Sequence, residues 1–209
     1  MPFTHEQFFE VFRAYNGAIW PAQIFAYLLG IVAVVALARP GRVADRLVSA
    51  ILALLWLWVG LGYDIGYFAP VNPAAYAFGA LFVVQAILFV RAGVIGDRLS
   101  FGFALGLLPL LGVAFLIYAM VIYEMLGQVA GHGLMKGPLF GVAPCPTAIF
   151  TFGLLMMAQK PVPWWLLPIP VLWALIGTSA AVTLGVPEDY GLLVAAICSV
   201  SSFALKRPQ

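Results

Sequence analysis

The sequence predicts an all-α protein: a polytopic membrane helix bundle of about seven transmembrane helices, with its N-terminus outside and its C-terminus inside. Three observations predict it. Hydrophobic side chains make up 64% of the 209 residues and charged ones only 9%, at a mean hydropathy of +1.06, far from the balance of a water-soluble domain. Charge-free intervals near the roughly 17 to 25 residues that a spanning helix needs recur along the chain, at 14–38, 47–63, 65–90, 99–123, 137–159, 161–187 and 190–205. Lys and Arg gather on one set of interval ends (Arg39, Arg42, Arg46, Arg91, Arg98, Lys160, Lys206 and Arg207), against only Arg13 and Lys136 on the other. Such an excess marks the cytoplasmic side. The acids run the opposite way, with Glu6, Glu10, Asp64, Glu124, Glu188 and Asp189 on the outer side and only Asp45 and Asp97 inside.

Segment 3–15 reads as a peripheral amphipathic helix on the outer face, with Phe8, Phe12 and Tyr15 on one side and Thr4 placed to cap it. Trp20-Pro21 opens the first span at interfacial depth. The flanks do not fit a cleaved signal peptide, because Glu6 and Glu10 precede the apolar stretch while Arg39 and Arg42 follow it. The second interval carries Trp56 and Trp58, too deep for an interfacial belt, and ends at Tyr63-Asp64. Asn72-Pro73 reads as a turn that starts the third helix. Gln85 in that helix, and Thr178, Ser179, Thr183, Ser199, Ser201 and Ser202 in the last two, are available for bonds between helices. The fourth interval ends at Glu124. Gly127, Gly131, Gly133, Gly137 and Gly141 then read either as a tightly packed re-entrant segment or as a flexible outer loop. Trp164-Trp165, after Pro161 and Pro163, opens the sixth span. The seventh is short, and the count falls to six if it is only half inserted. Residues 1–209 read as a single transmembrane domain.

The pattern breaks most sharply at Pro144-Cys145-Pro146-Thr147, near the start of the fifth interval. Each proline lacks an N–H and restricts the residue before it, so the regular helix is expected to begin near Pro146. Counted back from Lys160 at ~1.5 Å per residue, Cys145 lies about 22 Å from the inner boundary of a core ~30 Å thick. Irregular backbone at that depth is tolerated only against protein or a water-filled cavity. Cys145, Thr147 and Thr151 are therefore the candidate ligand or ion site, the alternative being a packed proline kink with cysteine as a small hydrophobe. Tyr63, Asp64, Glu124 and His132 are the candidate outer entrance. For Asp64 the alternatives are a turn cap or an ion pair with Lys136 or Arg13.

Other classes are poorly matched. The scattered basic residues do not form a nucleic-acid surface. Cys145 and Cys198 have neither disulfide-framework nor zinc spacing, and two histidines are too few for a metallohydrolase. No lysine lies inside a span to hold retinal. No catalytic constellation and no cofactor is implied. The expected partners are the lipid bilayer, a small solute or ion, and either a membrane-protein partner or further copies of the chain.

Phe8-Phe9, Tyr15-Asn16, Trp20-Pro21, Trp58 through Tyr63, Asn72-Pro73-Ala74, and Pro144-Cys145-Pro146-Thr147 with Phe150-Thr151-Phe152-Gly153 together resemble an uncharacterised bacterial family of small multi-pass membrane proteins, known only as a domain of unknown function. The resemblance spans nearly the whole chain. It implies the bacterial inner (cytoplasmic) membrane and no activity. The residues themselves favour transport or binding of a small solute or ion at the broken fifth helix. A sensor or assembly subunit that binds another protein is the alternative.

Overall fold

The computed structural model describes residues 3–133 and 135–205. Eight helical bodies follow in order: α1 His5–Ala18, α2 Ala22–Ala36, α3 Arg42–Phe68, α4 Ala75–Ile95, α5 Leu107–Val129, α6 Pro144–Met156, α7 Trp164–Leu184 and α8 Tyr190–Leu205. Among the described residues there is no strand, only an isolated bridge between Phe101 and Ala158. The all-α expectation holds.

Helix lengths revise the span count. Four helices, α3, α4, α5 and α7, are long and apolar enough to cross a bilayer, and α1 with α2, bent by 87° between them, makes a fifth if the pair is one span. At 13 and 16 residues, α6 and α8 reach about 20 and 24 Å, short of a hydrocarbon core of ~30 Å. Seven full crossings are therefore more than these helices carry. An interval free of charge is not the same thing as a helix: loop residues take the first seven positions of 137–159 and the first eight of 99–123. Lys206 and Arg207, part of the basis for the C-terminus inside, lie outside the described residues.

α6 is the axis of the bundle. All 13 of its residues are buried, packed among α3, α5, α7 and α8. Pro144 and Pro146 occupy its first and third positions, so the helix begins two residues earlier than expected. The first-turn N–H groups have no intrahelical acceptor, and proline there loses no bond. Close crossings hold the other helices: Gly60 of α3 lies against Gly79 of α4 so tightly that a Cβ on Gly79 would sit 2.7 Å from the Gly60 carbonyl oxygen. The outward surface is apolar, with Phe25, Leu28, Ile31 and Val35 of α2 all at least half exposed. Such stripes suit contact with hydrocarbon and are unfavourable in water.

One end of the bundle is basic. Arg42 and Arg46 both pair with Asp97, whose carboxyl the two guanidinium groups, Arg42 first, hold below the usual range. Gln159, beside Lys160, bonds the 100–102 segment at the same end. At the opposite end α1 lies across the bundle. A capping box between Thr4 and Gln7 and a stacked pair of Phe3 and Phe8 start the helix, the second being the hydrophobic staple of a fixed entry angle. The expected amphipathic helix is present, but its apolar face, with Phe9, Phe12 and Tyr15 buried, turns inward onto the bundle.

Candidate functional site

Beneath α1 is a cavity of about 200 Å³. Its walls are Phe3, Phe8 and Phe12 from the α1 segment, Tyr63 and Phe68 from the end of α3, Phe78 of α4, Trp173 and Ile176 of α7, Pro144 and Cys145 at the start of α6, and Asp189 from the turn between α7 and α8. Ring stacking ties the roof to the wall, with Phe12 on Tyr63 at 4.7 Å and Tyr63 on Phe68 at 5.5 Å between centroids. Ser179 and Ala180 are the more accessible lining residues on α7 and border its mouth.

Of the three residues proposed for the site, only Cys145 lines this cavity. Thr147 and Thr151 are fully buried on the sides of α6. The Thr147 hydroxyl donates to the Ala143 carbonyl at 2.7 Å, and that of Thr151 to the Thr147 carbonyl at 2.8 Å, while Thr151 also accepts from Trp56 Nε1 at 2.9 Å. Their polar atoms are committed to holding α6 and α3 in register.

The proposed entrance residues separate in the same way. Tyr63 lines the cavity. Asp64 is not at the end of a span but inside α3, in the π-helical stretch Val59–Phe68, which sets it in the bundle with neither carboxylate oxygen bonded among the described residues. Neither expected ion pair forms, since Arg13 pairs with Glu10 and the salt bridges of the described residues include none to Lys136. Glu124, half-buried on α5, accepts from Gln128 at 2.7 Å. His132 pairs through Nδ1 with Glu188 at 2.8 Å and lies against Phe9 in a tilted ring pair. The glycine-rich loop is a run of turns, with Gly131, Gly133 and Gly141 at positive φ, and Asn16 of α1 donates to the carbonyls of Met135 and Gly137, both at 3.0 Å.

The chemistry of the cavity comes from a residue read only as an interfacial acid. Asp189 is 2% exposed and accepts from the Tyr123 hydroxyl on α5, with the Cys145 thiol as a neighbour. Burial is the main influence on its carboxyl; Tyr123 and Cys145 oppose it, and the neighbouring Glu188 charge adds to it, leaving the group pushed up to about 7. Trp173 Nε1 is buried with no hydrogen-bond partner among the described residues and lies beside the Cys145 sulfur. The cavity is thus an aromatic chamber with one carboxylate in its lining. Among the described residues no group of three or more His, Cys, Asp or Glu side chains is arranged to hold a metal ion.

A family model matches residues 5–208, and so includes every residue of the cavity except Phe3. The chain belongs to DUF6064, a family of unknown function. No curated protein and no solved structure matches it. Membership of DUF6064 thus agrees with the resemblance drawn from Pro144-Cys145-Pro146-Thr147 and its companion motifs, and it brings no activity with it.

Proposed function

We propose that this DUF6064 chain is a multi-pass protein of a bacterial inner membrane that binds and transports a small solute or ion through the cavity beside Cys145. The observation that carries the reading is that cavity: about 200 Å³, bordered by the proline-flanked start of a helix too short to cross the bilayer, and holding a buried carboxylate. A packed proline kink needs no such space. Discontinuous helices that end inside a bundle are where transporters place their binding groups. The basic end, with Arg39, Arg42, Arg46, Arg91, Arg98 and Lys160, supports an inward orientation for that end, and the α1 roof with Glu6, Glu10, Glu188 and Asp189 then faces outward. The inward-turned aromatic face of α1 favours a roof over a docking helix for another protein.

The test is solute flux in proteoliposomes containing the purified chain, with Ser179→Trp as the comparison. A tryptophan at this exposed position obstructs the mouth without entering the core. The expected result is flux of at least one small solute in wild type that falls to background in S179W. Equal flux in wild type and S179W overturns the assignment to this cavity.

A further inference from the structure

Asp64, Glu188 and Asp189 are three buried acids in one half of the bundle, and among the described residues none is paired with a lysine or arginine. Glu188 has His132, whereas among the described residues Asp189 has only a neutral side-chain donor, the Tyr123 hydroxyl. A carboxylate kept out of water is stable only when protonated or when a cation approaches it. The cavity that Asp189 faces is walled by seven aromatic side chains: Phe3, Phe8, Phe12, Tyr63, Phe68, Phe78 and Trp173. Aromatic faces attract a cation whose own hydration is weak. They cannot replace the oxygen shell of a small inorganic ion, which takes several oxygen ligands. Anions are disfavoured by the acids, and a purely apolar occupant leaves the Asp189 carboxylate without a counter-charge.

We propose that the cavity takes a small organic cation, a compact solute with an alkylammonium group seated against the aromatic walls and its charge facing Asp189. This rests on the cavity being a solute site and adds the class of solute. Size fits: an apolar cavity of about 150 Å³ admits benzene, so about 200 Å³ holds a slightly larger compact molecule. Occupation is linked to protons, because a cation beside Asp189 favours its ionised form, and the carboxyl proton leaves to solvent as the cation arrives. The groups that bear on this exchange are Tyr118 and Tyr123 of α5, Cys145 of α6, Tyr63 and Asp64 of α3, and Glu188 with its partner His132.

The experiment is equilibrium binding to the full chain in detergent with two probes of the same shape, choline and its uncharged analogue 3,3-dimethylbutan-1-ol. Choline is expected to bind at least about tenfold more tightly than the alcohol, to weaken about tenfold per pH unit as pH falls below the Asp189 midpoint, and to lose about tenfold or more of its affinity in Asp189→Asn. Ser179→Trp, which leaves the carboxylate itself unchanged, is expected to abolish binding even if D189N folds poorly. Equal binding of the two probes, or choline binding unchanged in D189N, overturns the cation assignment while leaving a neutral-solute cavity in place. Absence of binding by either probe also overturns it, and the S179W flux comparison then decides separately whether the cavity is a transport site.

Discussion

Asp189→Asn converts the one carboxylate in the cavity wall into a permanently neutral group of the same shape. An asparagine carbonyl still accepts from the Tyr123 hydroxyl, so the substitution reads ionisation rather than packing. The carboxyl is raised from 3.8 to about 7, chiefly by burial. Between those values the folded chain holds a proton that the unfolded chain has released. Stability therefore falls as pH rises, by about 1.4 kcal/mol per pH unit. Below 3.8 both states are protonated and the group contributes nothing. Above about 7 the full penalty is present, and the span from 3.8 to about 7 amounts to roughly 4 kcal/mol. The measurement is equilibrium unfolding in mixed micelles across that pH range, for wild type and D189N together. Groups that do not interact with position 189 are the same in both proteins, so the difference isolates that carboxyl and its immediate surroundings. D189N should match wild type at the acidic end and exceed it by a few kcal/mol above neutrality. Parallel curves with no pH-dependent gap refute the assignment of a dehydrated, ionisable Asp189.

The packing makes further predictions. Gly79→Ala drives a methyl to 2.7 Å from the Gly60 carbonyl oxygen, a backbone atom that cannot turn aside, and should cost about 1–3 kcal/mol and lower the thermal midpoint in detergent. Thr151→Val removes the acceptor of the buried Trp56 N–H and should cost about 1–3 kcal/mol; adding Trp56→Phe removes the stranded donor, so a double-mutant cycle should show the second change costing less in the T151V background. Thr4→Ala deletes the α1 capping box at about 0.5–2 kcal/mol, seen as faster amide exchange in the first turn of α1 with α6 unchanged. Should α1 exchange equally in both proteins, the cap is not what starts the helix.

The division between legible and hidden features follows the range of the interactions that create them. Composition and charge-free intervals located the helical bodies because burial of apolar surface acts on every residue of a segment. Charge asymmetry likewise separated Arg42 and Arg46 from the acids near α1. Local rules also served at Pro144, whose ring excludes it from a helix interior, so a helix start was legible there. They failed on helix length, since loop residues such as those before Leu107 and Pro144 carry no charge and are apolar enough to resemble a span.

The seven-span reading is the simplest deduction from those intervals; the folded chain keeps the helical order, but α2 and α6 are much shorter than their intervals and α8 is no longer than its own. Thr147 and Thr151 looked like ligand groups from their place beside the proline break, and only the fold shows their hydroxyls bonded to backbone carbonyls and, for Thr151, to Trp56. Asp64 looked like the end of a span, and only the π-helical course of α3 carries it inside. The cavity itself joins Phe12, Tyr63, Cys145, Trp173 and Asp189, residues separated by most of the chain. No local pattern encodes that meeting. By itself the sequence determined an apolar helical bundle, one basic end, and a helix beginning at a proline-flanked cysteine. The tertiary structure decided which acid faces that cysteine and which aromatic rings roof it, because packing brings together distant residues whose local sequence contexts carry no mark of one another.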